Sequence, residues 1–360
     1  MRRSIILAIP AIACGSTLTA QGADAGVKIF GSVDNGLTWV SNQGGHSHFG
    51  PQDGVNKSNS LGFMGSEDLG GGRSVIFKLE GGFSINKGGS LQGGLLFGKQ
   101  SWLGLNDNQL GQLTVGRQYD FTTLLARFLP CMQCGLYIVQ NADLDRVSGQ
   151  RFNNSVQYQS ARISGLKFGA MYAFPEGARN DAGRGNSFTL DYQNGPFSAE
   201  IVTTELKGAP ILAGKLGSTS LLGRALNDNS VLFVDRQRIA AFGVAYRIDK
   251  LTPKLLYTNT RLELDGRAAT DRMLHVGADY QLTPAVLLQA KYSIDRLEQS
   301  RWNMVNLGVD YMLTKRTDLY AEIAHQRASG PGARASIPLT AAPSSSDQQT
   351  VTRIGIRHLF

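Results

Sequence analysis

From about Gly26 to Phe360 the chain alternates large apolar residues with small or polar ones, in segments of roughly ten residues, and little of it keeps a helical period. Between Val286 and Ile294 one face reads Val286, Leu288, Ala290, Tyr292 and Ile294, and the other Leu287, Gln289, Lys291, Ser293 and Asp295. Leu274, Val276, Ala278, Tyr280 and Leu282 oppose His275, Gly277, Asp279 and Gln281 in the same way. Around Ala240 the apolar face is Phe242, Val244, Tyr246 and Ile248. Side chains of a strand point alternately to its two faces, so each segment is a strand with one apolar and one polar side. Such a chain folds into a sandwich or a barrel.

Three features separate these two. Charges stand in mid-strand on the polar face (Lys167, Asp191, Glu200, Lys291, Asp310), which suits a wet lumen better than a crowded core. Tyr192, Tyr246, Tyr280 and Tyr311 end apolar faces beside short turns such as Asn194-Gly195-Pro196, as an interfacial girdle would. Tight turns at Gly70-Gly71-Gly72 and Arg162 to Gly165 alternate with long connections at Asp120–Gln150, Gly208–Gln237 and Gly330–Gln348. The expected fold is all-β, an antiparallel transmembrane barrel of about 16 strands in one domain, 26–360. Val351 to Phe360 form its last strand, with Ile354, Ile356, His358 and Phe360 on one face.

Composition removes the alternatives. Charged residues make up 18% of the chain, against about 25% in an average globular protein, while 42% is hydrophobic. Disorder is excluded, and so is a bundle of membrane helices, because past the N-terminus no apolar run approaches about 18 residues. The net charge of +8 gathers into no Lys/Arg run that would suit nucleic acid. At the N-terminus Arg2 and Arg3 precede the apolar stretch Ile5 to Ala13, and Ala23-Asp24-Ala25 fits a small-x-small cleavage site. Residues 1–25 are expected to be an export signal, with cleavage after Ala20 as an alternative and lipidation of Cys14 as another. Export leaves Cys131 and Cys134 in an oxidising compartment. They are expected to close a short disulfide; the alternative is two reduced, buried thiols.

Several segments resemble the general porins of the Gram-negative outer membrane, especially their β-proteobacterial branch. They are Val27-Lys28-Ile29-Phe30-Gly31, Leu61-Gly62-Phe63-Met64-Gly65-Ser66-Glu67-Asp68-Leu69-Gly70-Gly71-Gly72 and Leu95-Leu96-Phe97-Gly98-Lys99-Gln100. Leu113-Thr114-Val115-Gly116-Arg117-Gln118-Tyr119, Arg151-Phe152-Asn153-Asn154-Ser155-Val156-Gln157-Tyr158 and Gly355-Ile356-Arg357-His358-Leu359-Phe360 follow in family order. The resemblance implies homotrimers of 16-stranded barrels, each narrowed by a third external loop folded inward, here about 120–150. It also implies outer-membrane lipids and lipopolysaccharide as surroundings, and assembly machinery that reads the terminal Phe360. No cofactor is expected.

In the family, wall arginines face acidic groups of that loop across a constriction. The matching positions are Arg117 and Arg151, with Lys78 and Ser60 on the wall and Asp143 and Asp145 as the acids. Alternation puts Arg151 with Asn153, Ser155 and Gln157, hence in the lumen; Arg117 falls with Leu113 and Val115, and only a bulge or the strand's end would turn it inward. The chain departs from the pattern at Ser60, usually arginine, at Met64, usually basic, and at Leu129 to Gly135, which lacks acid. Removing residues 1–25 leaves 34 basic and 27 acidic residues, a net of +7. These features point to passive diffusion of small hydrophilic solutes and ions with a preference for anions. A solute-selective channel and a plugged structural or adhesive barrel are the alternatives. An enzyme is not expected, since none of the five histidines joins a nucleophile motif. His46 and His48 read as solvated loop residues, because two ligands do not complete a metal site.

Overall fold

The structure, a computed structural model, describes residues 26–176 and 181–360. The expected export signal, 1–25, lies outside the described residues. Seventeen strand segments form one closed sheet. They are β1 (Gly26–Gln43), β2 in two pieces (His46–Asp53 and Ser60–Gly70), β3 (Arg73–Gly82), β4 (Gln100–Asp107), β5 (Gly111–Tyr119) and β6 (Arg151–Gln159). β7 (Leu166–Ala173), β8 (Gly185–Asn194), β9 (Phe197–Ile211), β10 (Leu232–Tyr246) and β11 (Leu251–Leu264) follow. β12 (Arg267–Thr283), β13 (Val286–Leu297), β14 (Ser300–Met312), β15 (Thr317–Ser329) and β16 (Gln348–Leu359) complete the wall. The two pieces of β2 pair with successive stretches of β1, so the wall has 16 strands. Between those pieces residues 54–59 leave the wall, and Val55 and Asn56 are buried.

Every strand runs antiparallel to its neighbours, and β1 pairs with β16 from Ser32↔Leu359 to Val40↔Val351. Closure leaves no edge, which is what a sheet surrounded by lipid requires. Phe360 extends the seam: its N–H and carbonyl both pair with Gly31, and its ring covers the place where a Cβ of Gly31 would stand. At the seam Arg353 is fully buried, donating to Asp34 Oδ1 at 3.1 Å, Thr38 Oγ1 at 2.9 Å and the Gln52 carbonyl at 2.8 Å.

The apolar faces point outward. Phe242, Tyr246, Leu288, Tyr292, Val305, Leu307 and Ile354 are all exposed on the barrel's exterior, the arrangement a membrane band needs. Short connections, such as 71–72, 195–196 and 284–285, gather at one end of the barrel. Long loops at 83–99, 120–150, 212–231 and 330–347 gather at the other, the external end, beside the two-residue turns 44–45, 265–266 and 298–299. The connection expected over Gly208–Gln237 is shorter, because β9 and β10 stay paired out to Ile211↔Leu232.

Candidate functional site: the lumen and its inward loop

Loop 120–150 starts at Asp120, whose carboxylate accepts the Thr122 N–H at 3.0 Å and an Arg146 Nε–H at 2.6 Å, stapling the loop's two ends. Its 3-10 segments Phe121–Phe128 and Met132–Ile138 then run along the inside of the barrel. Four of its side chains meet glycines at inward wall positions. Phe121 lies on Gly169 of β7, Phe128 on Gly243 of β10, Pro130 on Gly277 of β12 and Cys134 on Gly308 of β14. A Cβ at any of these would collide with the loop, so the wall is shaped to receive it. Cys131 and Cys134 are joined by a disulfide, with Cα atoms 5.2 Å apart.

Polar tethers complete the docking. Gln133 N–H donates to Gln289 Oε1 at 3.0 Å, Gln140 Nε2 to Asp295 Oδ2 at 3.0 Å, and Gln237 Nε2 to the Leu144 carbonyl at 2.7 Å. Lys291 Nζ donates to the Ile138 carbonyl. On the far side Leu136 N–H donates to the Val55 carbonyl at 2.9 Å, and Tyr137 donates its hydroxyl to Gln52 Oε1 at 2.6 Å. The loop therefore spans the lumen from β7 to the seam.

This corrects one expectation. Asp191, Glu200, Lys291 and Asp310 do point inward, but the loop or its neighbours bury them. Arg127 of the loop pairs with Asp191 and, at 3.0 Å, with Glu200, while Arg357 pairs with Asp310 at 3.5 Å. Only Lys167 of the five keeps partial access to water.

The expected constriction residues separate into groups. Ser60 is buried, its hydroxyl 3.3 Å from that of Ser32. Lys78 points into the open part of the lumen, 4.8 Å from the Phe30 ring centroid and 3.3 Å from Glu80. It sits in a cross-strand row with Lys28, Met64 and Trp102, all partly accessible. Asp143 accepts from the Ser148 N–H at 3.0 Å and from Gln150 Nε2 at 2.7 Å. Asp145 accepts from the Val147 N–H at 3.3 Å and from Thr258 Oγ1 at 3.1 Å. Both acids are held by the loop and the far wall rather than presented across an opening. Burial, with Asp143 nearby, pushes the Asp145 carboxyl up to about 7.

Arg117 and Arg151 come together, but not in the lumen. Arg117 pairs in register with Ser101, whose strand neighbours Leu103 and Leu105 face outward. Its guanidinium donates to the Gly98 carbonyl at 2.8 Å and to Asn153 Oδ1. Arg151 lies against Tyr119, 4.8 Å from the ring centroid, and donates to the Lys99 carbonyl at 3.3 Å. Alternation put Arg151 inward; the physical reason for the difference is a bulge. The β5–β6 register shifts between Gly116 and Gln118, and Asn154 adopts a left-handed φ of 45°. One extra residue reverses the parity of everything before it, so Phe152 is the buried, inward residue and Arg151 faces away. Arg117, with no compensating slip, keeps the outward side of Leu113 and Val115. Arg117 borders a cleft of about 460 Å³ that Ser101, Gly116, Asn153, Asn154 and Glu176 also line. Arg127, Arg146 and Arg353 were not singled out by sequence. Arg127 alone carried a signal: a lone cation in an apolar loop stretch.

Comparison with known proteins supplies the last observation. Residues 7–331 match a family model described as Gram-negative porin. Outer membrane porin protein 32 of Delftia acidovorans is 28% identical over 384 residues, covering 100% of both chains. An outer membrane porin protein of Bordetella pertussis is 26% identical, over 89% of this chain and 93% of that one. Among solved structures, an anion-selective porin from Comamonas acidovorans superposes with a TM-score of 0.78 at 22% identity, covering 93% of this chain and 99% of that one. The trimer form of OmpT from Vibrio cholerae gives 0.68 at 15% identity, with 93% and 99% covered. These two likenesses speak to the fold.

Proposed function

The chain belongs to the Gram-negative porin family and forms an outer-membrane channel, and from that premise we propose that it passes small hydrophilic solutes passively, prefers anions and works as a homotrimer. One asymmetry carries the anion preference. The acids of the inward loop, Asp143 and Asp145, are turned into hydrogen-bonded contacts with the loop and wall, whereas Lys28 is exposed and Lys78 and Arg127, though paired with Glu80 and with Asp191 and Glu200, keep part of their side chains accessible. Low-dielectric walls focus such a field on the lumen. The anion selectivity named for the Comamonas acidovorans porin points the same way. The trimer rests on the trimer form of OmpT and on the family resemblance. A bias of about 1 kcal/mol gives a roughly fivefold preference for anions.

The test is the zero-current potential across a KCl gradient in planar bilayers. Wild type should prefer chloride, and Lys78→Ala with Arg127→Ala should move the potential toward zero. Arg117→Ala with Arg151→Ala should move it less, because those side chains face away. A cation-selective wild type would refute the reading, as would an indifferent Lys78/Arg127 double variant.

A further inference from the structure

The stretch of wall on β1–β4 that loop 120–150 leaves uncovered is less polar than a path for hydrated ions requires. Two cross-strand rows face the lumen there. One is Phe30, Gly62, Glu80 and Gln100; the other is Lys28, Met64, Lys78 and Trp102. Phe30 lays its ring over Gly62, where a Cβ would strike it, and the Lys78 ammonium stands 4.8 Å from that ring's centroid. Trp102 donates its indole N–H to Gln100 Oε1 at 3.0 Å, and Gln100 Nε2 donates to Glu80 Oε2 at 3.1 Å. Lys78 meets the same carboxylate oxygen at 3.3 Å. This chain of bonds holds indole and ammonium in a fixed relation and satisfies the polar edge of the indole on the wall. Ring, thioether and ammonium are left toward the water: Phe30, Met64, Lys78 and Trp102 are partly accessible and Lys28 is exposed.

Charge narrows what such a surface can hold. Glu80 lies between Lys99 at 2.9 Å and Lys78 at 3.3 Å, and one carboxylate cannot neutralise two ammoniums. Lys99 is buried, so the surplus positive charge is available to the lumen at Lys78. Met64 stands where the resemblance leads one to expect a base, so a polarisable thioether rather than a third cation separates Lys28 from Lys78. A base there would serve a small hydrated anion better; apolar surface rewards only a solute with an apolar body. Neighbouring strands lie about 5 Å apart, so Lys78 is one strand from Met64 on one side and one strand from Trp102 on the other. A single-ring aromatic acid can set its carboxylate at Lys78 while its ring lies on Trp102 or on Met64. Barrel strands tilt by about 35–45°, so the row climbs the wall. It rises from Lys28, near the periplasmic end of β1, to Trp102, near the external end of β4.

We propose that Lys28, Met64, Lys78 and Trp102 form a binding station for aromatic carboxylates, single-ring organic anions that pause there as they cross the channel. The proposal rests on the anion-preferring reading given above and adds the class of solute. An inorganic anion engages the ammoniums alone, whereas an aromatic acid engages ammonium and ring together.

The test adds sodium benzoate to KCl in planar bilayers that contain the full channel. Benzoate should block the chloride current saturably at millimolar concentration. Sodium acetate, with the charge and no ring, and benzyl alcohol, with the ring and no charge, should not block at equal concentration. Trp102→Leu should raise the half-blocking concentration of benzoate about fivefold, and Trp102→Phe by less. Lys78→Gln should raise it about tenfold. The three-solute series on wild type needs no variant, so it decides even where a substitution fails to fold. Block by acetate or by benzyl alcohol equal to that by benzoate would overturn the station, as would an unchanged half-blocking concentration in Trp102→Leu or in Lys78→Gln. A cation-selective zero-current potential in KCl alone would reject the underlying reading instead; a chloride-selective channel that treats benzoate like acetate rejects the station and leaves that reading standing.

Discussion

The inner surface of the barrel has two unlike halves. On β8–β14 the inward residues lie beneath loop 120–150: Ile239 and Ala241 are buried against it, Gly243 receives Phe128, and even Lys291 and Asp295 are sealed and hydrogen-bonded. On β1–β4 the row Lys28, Met64, Lys78 and Trp102 keeps access to water. The same alternation writes both halves, so a polar inward face does not by itself mean a wet one. What separates them is a docked segment distant in sequence, which turns half the lumen into something close to a protein core. The open half is left to do the conducting.

The sharpest way to break this contrast is at the seam that anchors the loop's far end. Arg353→Met leaves Asp34 and Glu322 buried without their cation, and stability in urea should fall by about 3–5 kcal/mol. The exposed pair of Arg73 with Asp107 is the control: Arg73→Met should cost at most about 1 kcal/mol. Equal losses would mean that the seam is as wet as the periplasmic turns.

Next in size is the loop's own seat. Phe128→Ala empties the space above Gly243, at a cost of about 3 kcal/mol if the surroundings do not close in. Single-channel conductance should rise and become noisier as the loop loosens. An unchanged, quiet channel would show that the disulfide and polar tethers suffice to hold it.

The smallest effect is a dependence on pH. Asp145 titrates near 7 when the loop is docked and in the ordinary aspartate range when it is free, so docking favours the protonated form. Its contribution is full in acid, declines as pH rises from that ordinary range to about 7, and is flat above. The loop should therefore dock more firmly at pH 5 than at pH 8, with fewer excursions to higher conductance, and Asp145→Asn should remove the difference. Persistence of the pH dependence in that variant would assign it to another group.

Much of the wall was legible in the sequence because alternation is local: Val286 to Ile294 announces its own two faces, and Asn194-Gly195-Pro196 its own turn. The inward loop was legible only as a resemblance, since Phe128 and Gly243 meet across more than a hundred residues and neither residue type carries a mark of the other. Arg151 shows the limit of local reading. A strand carries one bit of information per residue, inside or outside, and a single unpaired residue inverts it. The adjacent Asn153-Asn154 was the available signal, because asparagine tolerates left-handed backbone better than most residues.

The seam between β1 and β16 also has a consequence for how the chain is made. Arg353 and Asp34 meet across 319 positions, and the terminal Phe360 pairs with Gly31. Until β16 has been made, β1 and β15 present two raw edges with no way to join them. A transcript cut short near its end yields a sheet that stays open, sticky and a target for proteases. Without β16 the edges of β1 and β15 have no common partner, and the sheet cannot become a ring.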